Sequence, residues 1–289
     1  MDMNREVGDS LVLETDSGGV GYARITLRYD FRARAVVARS AEIVSADADA
    51  VAPDPEIEAF LAPYREELSQ AFDSPIASCD GVLERGDGVE RLGEVPIGNL
   101  VADAVRERYA TDIGFVNGGG IRAPLPSSYA PADQDLRRPA EGYAEGPPYD
   151  LVIGDVYAVL PFGNVAITRT VTGESLWAML EHGVEALPAP AGSFGQVSGL
   201  SFTFDSTLPP GSRVLTVTLD DGSAVPQDGT AYTLATSDFI AAGGDGYEML
   251  ANGDGVARDK LAEVLREHIE LLGSIVPTTE GRIVDVSAP

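Results

Sequence analysis

Asn117-Gly118-Gly119-Gly120-Ile121-Arg122 sets an amide and a guanidinium on either side of three consecutive glycines. It follows Asp112-Ile113-Gly114-Phe115-Val116, a short apolar stretch that reads as a buried strand. Glycines at a strand end let the backbone turn sharply, and they let a ligand approach N–H groups such as that of Gly119. The guanidinium forks onto carboxylate or phosphate oxygens, and the amide both donates and accepts. The loop therefore suits an anion with a polar reader on each side. Taken alone, it fits equally a tight turn that carries a surface arginine.

Three further segments carry side chains of the same kind. Arg91 stands before Gly98-Asn99-Leu100. Phe162 lies in Leu160-Pro161-Phe162-Gly163-Asn164. Phe239 and Asp245 lie in the stretch from Asp238-Phe239 to Gly243-Gly244-Asp245-Gly246-Tyr247. Each phenylalanine is flanked by Gly or Asp in a turn rather than set in a long apolar run. The two histidines, His182 and His268, read as a packing or capping residue and a solvent-facing one respectively.

Positioning these residues takes a mixed set of elements. Residues 9–44 alternate as a small β meander of three strands, with a turn at Gly18-Gly19 and with Ala23, Ile25 and Leu27 on one face. Residues 46–55 read as a linker. Asp54-Pro55-Glu56 gives the cap, first-turn proline and acidic first turn of a helix, and Ile57, Phe60, Leu61, Tyr64 and Leu68 recur at helical spacing to Phe72. A helix over Asn99–Arg106 turns Leu100, Val101, Ala104 and Val105 inward. The stretch 124–150 is a polar loop, either functional or mobile at that length. Strands are expected over 166–171, 197–204, 213–219 and 232–235, and helices over 173–187 and 256–272. Strands and helices mix without strict alternation, which gives an α+β fold with mixed sheets. The division is 1–53 for the meander, 54–74 for a connector helix and 75–289 for the main domain.

The chain has 289 residues, 20 Lys and Arg against 46 Asp and Glu, and a net charge of −26. That charge repels polyanions, so neither nucleic acid nor an anionic membrane is expected as a partner. A small phosphate-bearing ligand would need a local arginine cluster, and Lys260 is the only lysine. Cys79 is the only cysteine, so no internal disulfide forms. No window approaches 18 apolar residues, and Met1-Asp2-Met3-Asn4-Arg5-Glu6 lacks the apolar core of a secretory signal.

In order and spacing, the four segments, with Gln196-Val197-Ser198-Gly199-Leu200 between them, resemble the C-terminal, substrate-binding domain of the 5′-nucleotidase family. That family includes ecto-5′-nucleotidases, UDP-sugar hydrolases and 2′,3′-cyclic-nucleotide phosphodiesterases. The likeness covers about residues 85–285. It implies that Phe162 and Phe239 sandwich a nucleobase and that Asp245 accepts from ribose hydroxyls. It implies that Arg91 and Arg122 clamp phosphate with Asn117 beside them, and that Asn164 touches the base edge. The expected ligand is a nucleotide or nucleoside of the AMP or UDP-sugar type.

Family members carry an N-terminal metallophosphatase domain that binds divalent metals such as Zn or Mn. This sequence has no Gly-Asn-His-Glu run, no Gly-His-X-His run and only 2 histidines. The resemblance therefore implies no catalytic residue, metal ligand or cofactor in this chain, and a metallophosphatase domain or chain as a possible partner. The stretch from Leu11 to Tyr22 resembles the closing strands of that domain, and the helix from Asp54 the connector. Family members are usually periplasmic, extracellular or on the cell surface; the residues themselves leave the location open.

Overall fold

The computed structural model describes residues 3–8, 10–15, 19–46, 51–251 and 254–287. It divides into two compact units, Met1–Arg65 and Glu66–Pro289. The first holds two antiparallel pairs. β1 (Met3–Val7) pairs with β2 (Ser10–Glu14), and β3 (Gly21–Asp30) pairs with β4 (Ala35–Ser45). The expected meander of three strands is thus two separate hairpins. The expected third strand over 36–44 is β4, which pairs with β3 along Gly21–Asp30 with one register shift between Arg28 and Tyr29. Of the expected turn at Gly18-Gly19, Gly18 lies outside the described residues, as do residues 47–50 of the expected linker.

α1 (Pro55–Phe72) begins as its sequence dictates. Asp54 accepts from the backbone N–H of Glu56 at 2.8 Å, and Pro55 follows at the first helical position. Its apolar stripe is not buried: Ile57, Phe60, Tyr64 and Leu68 are all exposed.

The second unit runs β5 (Pro75–Cys79), α2 (Pro96–Tyr109), β6 (Ile113–Asn117), β7 (Tyr149–Val152), α3 (Ile153–Val159), β8 (Val165–Thr172), α4 (Gly173–Val184), β9 (Gly195–Ser198), β10 (Leu200–Phe204) and β11 (Val214–Leu219). It ends with β12 (Ala231–Ser237), α5 (Asp238–Ala241), β13 (Gly255–Lys260), α6 (Leu261–Leu272), β14 (Ser274–Ile275) and β15 (Ile283–Asp285). The fold is α+β. A five-stranded sheet in the order β13-β8-β12-β6-β9 is joined by two three-stranded sheets, β14-β5-β7 and β11-β10-β15. Within the large sheet, β12 and β6 are parallel and the other pairs antiparallel.

Side chains alternate across a strand, so the large sheet supplies two cores. Val116 and Ala235 join a cluster with α2, α3 and α6, whereas Phe115 and Leu234 join one with α4, β10 and β11. All five residues of β6 are buried, as a strand covered on both faces requires. That central position carries the glycine run out of the sheet at the end of β6.

Three expectations change. The strand over 197–204 is two strands in different sheets. The chain turns at Gly199, whose φ is +83°, and a Cβ there would lie 2.0 Å from the carbonyl oxygen of Asp112. Only glycine fits that crossing. The helix over 256–272 starts at Leu261, because Gly255–Lys260 extends the large sheet along β8, with Val256 opposite Thr168. His268 is not solvent-facing: it is buried on α6, with Nδ1 3.6 Å from a carboxylate oxygen of Glu107.

The stretch before β7 has no regular element, but it is firmly anchored. Arg138 and Asp155 are both buried and form a two-pronged ion pair at 2.6 and 2.7 Å. Asp155 also accepts from the backbone N–H groups of Ser127 and Val152 and from the Ser127 hydroxyl. Every oxygen of that carboxylate is engaged, the condition under which a charge can be buried.

Candidate functional site

The sequence-distant segments meet at a cavity of about 440 Å³. Its walls are Arg91, Asn117, Gly119, Gly120, Phe162, Asn164, Gly192, Phe239 and Asp245. Each comes from the end of a regular element. Asn117 ends β6, Phe239 lies at the start of α5, and Arg91 ends a short 3-10 turn, Gly86–Arg91. Of the residues expected at a site, Arg91, Asn117, Gly119, Phe162, Asn164, Phe239 and Asp245 line this one space. Arg122 stands just outside the lining, with its guanidinium carbon 5.7 Å from the centre of the Phe162 ring, a cation–π distance.

Close packing explains the glycine run. A Cβ on Gly118 would lie 2.1 Å from the carbonyl oxygen of Glu90, so the 86–91 turn could not pass over β6 if any larger residue stood there. Gln196, fully buried, secures the same turn: its amide nitrogen donates to the carbonyls of Glu90 and Gly93, and its oxygen accepts from Val95 N–H.

The two phenylalanine rings are 61% and 46% exposed, whereas Phe115, Phe194, Phe202 and Phe204 of the same unit are buried. One carboxylate oxygen joins the segments that hold them. Asp238 Oδ1 accepts from Asn164 Nδ2 at 2.7 Å and from the backbone N–H of Phe239 at 2.8 Å. Because a carboxylate only accepts, the nitrogen of the Asn164 amide must face it.

Asp245 takes a left-handed backbone conformation with φ +53°. Asn117 donates to its Oδ2 at 2.7 Å and to the carbonyl of Gly192 at 3.3 Å. The Gly119 N–H also donates to Gly192 O at 2.9 Å. Gly192 was not expected at the site, and its turn, Ala189-Pro190-Ala191-Gly192-Ser193, carries no side chain that announces it. Tyr247 lies buried behind Asp245, and burial, then the Asp245 charge, push its phenol well above the usual range. It therefore stays a neutral donor, and its hydroxyl bonds to the carbonyl of Ser193.

Arginines gather beside the same cavity. Glu90 is fully buried and meets the guanidinium of Arg85 and, at 3.4 Å, Arg91 Nε. Arg85 also donates to the carbonyl of Arg122 at 3.3 Å. Arg85, Arg91 and Arg122 thus gather locally within an acidic chain, which keeps an anion-attracting patch where the protein as a whole would repel anions. Two exposed flat rings, a carboxylate and guanidinium groups around one cavity describe a space suited to a flat aromatic group linked to a hydroxylated, anionic one.

A family model described as the C-terminal domain of 5′-nucleotidase matches residues 76–252. The chain is 30% identical over 248 residues to the trifunctional nucleotide phosphoesterase protein YfkN of Bacillus subtilis, a match that covers 82% of this chain and 15% of that protein. It is 31% identical over 213 residues to the snake venom 5′-nucleotidase of Crotalus adamanteus, covering 67% of this chain and 33% of the relative. Among solved structures, that of the 5′-nucleotidase precursor from Thermus thermophilus aligns over all of this chain and 55% of its own, with a TM-score of 0.70 and 29% identity. The chain therefore spans well under two thirds of each of these proteins.

Proposed function

The chain belongs to the 5′-nucleotidase family through its C-terminal domain, and on that premise we propose that its cavity holds the nucleotide or nucleoside of a phosphohydrolase substrate. The base stacks between Phe162 and Phe239. Asp245 accepts from the ribose hydroxyls. The phosphate points toward Arg91, Asn117 and Arg122, with Gly119 in the same loop, and Asn164 meets the base edge. AMP, adenosine and UDP-sugars are the ligands to try, and binding is in the micromolar to millimolar range.

The observation that carries this reading is the pair of exposed rings on one cavity with Asp245. An exposed phenyl group costs apolar hydration that a stacked base would recover, at about 1–3 kcal/mol per base. Stacking on a flat face suits any base, so it supplies affinity with little selection.

The residues of this chain bind and orient; they do not themselves hydrolyse. Metal-assisted hydrolysis in such a family uses ions such as Zn or Mn to activate water and to hold the phosphoryl group. Among the described residues, no three His, Cys, Asp or Glu side chains converge as metal ligands.

Calorimetric titration with AMP and adenosine tests the reading. The parent chain binds both, and Phe162→Ala weakens both by about tenfold or more. Absence of binding, or a Phe162→Ala variant equal to the parent, would remove it.

A second reading is favoured by the first unit. On one face of β3, Ile25, Leu27 and Tyr29 are exposed, as is Phe31 in the following turn, more apolar surface than an isolated hairpin usually leaves in water. Here a metallophosphatase chain or domain covers that face and completes the enzyme. Phosphate release from AMP by a mixture of the two, with Mn²⁺ or Zn²⁺ present, would support it; no gain over the metallophosphatase alone would count against it.

A further inference from the structure

We propose that His182 is a positioning residue for Asp245, and that through it the cavity's preference for a ribose diol is set. The inference rests on the reading of Asp245 as the sugar acceptor. It adds a residue that touches no part of the ligand.

His182 sits in the last turn of α4, and its ring reaches the turn that carries Asp245. Its Nε2 lies 2.7 Å from the backbone carbonyl of Asp245. A carbonyl only accepts, so Nε2 carries the proton and donates. Its Nδ1 lies 3.1 Å from a carboxylate oxygen of Glu185, one helical turn on. The ring is held through Nε2, and it packs edge-on against Tyr247 with centres 4.8 Å apart and planes at 87°; the Nδ1 contact with Glu185 is an ion pair only when the ring carries both protons.

The group held is in need of holding. Asp245 has φ +53°, a left-handed conformation uncommon outside glycine, although aspartate adopts it more readily than most residues. Its carboxylate is aimed by the backbone, and the backbone is fixed on one side by the His182 bond. On the other side, Asn117 donates to Oδ2. That leaves Oδ1 as the oxygen with free capacity for a diol. The following residue shows how closely the imidazole is fitted: a Cβ on Gly246 would lie 2.8 Å from His182 ring atoms. Loss of the ring leaves the Asp245 carbonyl without its donor and lets the turn relax. The carboxylate would then lose its angle toward the sugar while the phenylalanine rings stay in place.

The test compares adenosine with 2′,3′-dideoxyadenosine, which has the same base and no diol, by calorimetry. In the parent chain adenosine is favoured by about tenfold or more, the worth of a charge-assisted hydrogen bond. His182→Phe keeps the ring's bulk and loses the donor; its adenosine affinity falls to that of the dideoxy compound, whose own affinity is unchanged. His182→Gln restores a donor and recovers most of the preference. An unchanged affinity of both variants for the dideoxy compound guards against a badly folded chain. A His182→Phe chain that keeps the parent preference, or that weakens both ligands equally, overturns the inference while leaving the sugar-binding role of Asp245 intact. A parent chain with no diol preference overturns that role itself.

Discussion

Residues 124–150 are polar, rich in Pro and Ala, and without a regular element before β7, yet Arg138 is only 4% exposed and its partner Asp155 is fully buried. The β3–β4 pair shows clean strand patterning, yet Tyr22, Ile25, Leu27, Tyr29, Val36 and Val37 remain exposed. Composition alone would have assigned these regions the other way round. What separates them is the supply of partners. The Arg138 guanidinium meets Asp155 and the carbonyls of Ser127, Tyr129 and Asp150, so its charge is satisfied inside the protein. The face of β3 has backbone partners in β4 and no described cover for its side chains. A polar segment can therefore be a rigid part of the scaffold behind a site, and an apolar one can be surface.

The sharpest way to break this contrast is Asp155→Ala. Removing one side of a buried pair strands the other charge, so stability falls by about 3–5 kcal/mol, read from thermal or urea unfolding. A loss below about 1 kcal/mol would mean that the segment is not anchored as described.

Acid offers a milder probe. The Arg137 guanidinium, bonded to Asp150, holds that carboxyl below the usual carboxylate range against the opposing effect of burial. Its folded value is lower than its unfolded one. The contribution is thus present above about pH 4 and is lost as the pH falls below that. The pair is partly exposed, and it contributes under about 1 kcal/mol. Asp150→Asn should lower the melting temperature at pH 7 and leave it nearer the parent's at pH 3. Equal offsets at both pH values would refute the assignment.

The smallest effect is expected on the exposed strand. Leu27→Lys changes stability by no more than about 0.5 kcal/mol. A loss several times larger would show that the β3 face is already covered in solution, for instance by a second copy.

The same logic separates what could be read in the sequence from what could not. β6, α2 and α4 were legible because their apolar periodicity is local and is met by burial on the expected faces. The start of α6 was not, since Val256 and Ala257 become strand only by pairing with a distant β8. The break between β9 and β10 depends on a carbonyl at Asp112, and no pattern near Gly199 shows it. His268 could have been placed: it lies four residues after Val264 and next to Ile269, on the stripe that is buried.

At the cavity, Phe162, Asn164, Phe239 and Asp245 were legible because side chains with chemistry sit in glycine turns. Gly192 was not, because its contribution is a backbone carbonyl. His182 reads in the sequence as a packing or capping residue, and its ring does pack on Tyr247; its bond to the carbonyl of a residue 63 positions away has no local signal.

The central claim is that one cavity of the second unit holds a nucleoside by its base and sugar. A crystal structure of the chain soaked with AMP tests it most directly. The account predicts adenine density between the Phe162 and Phe239 rings, with a ribose hydroxyl in hydrogen-bond reach of Asp245. Adenine bound elsewhere, or those rings closed on each other with the nucleotide outside, would contradict it.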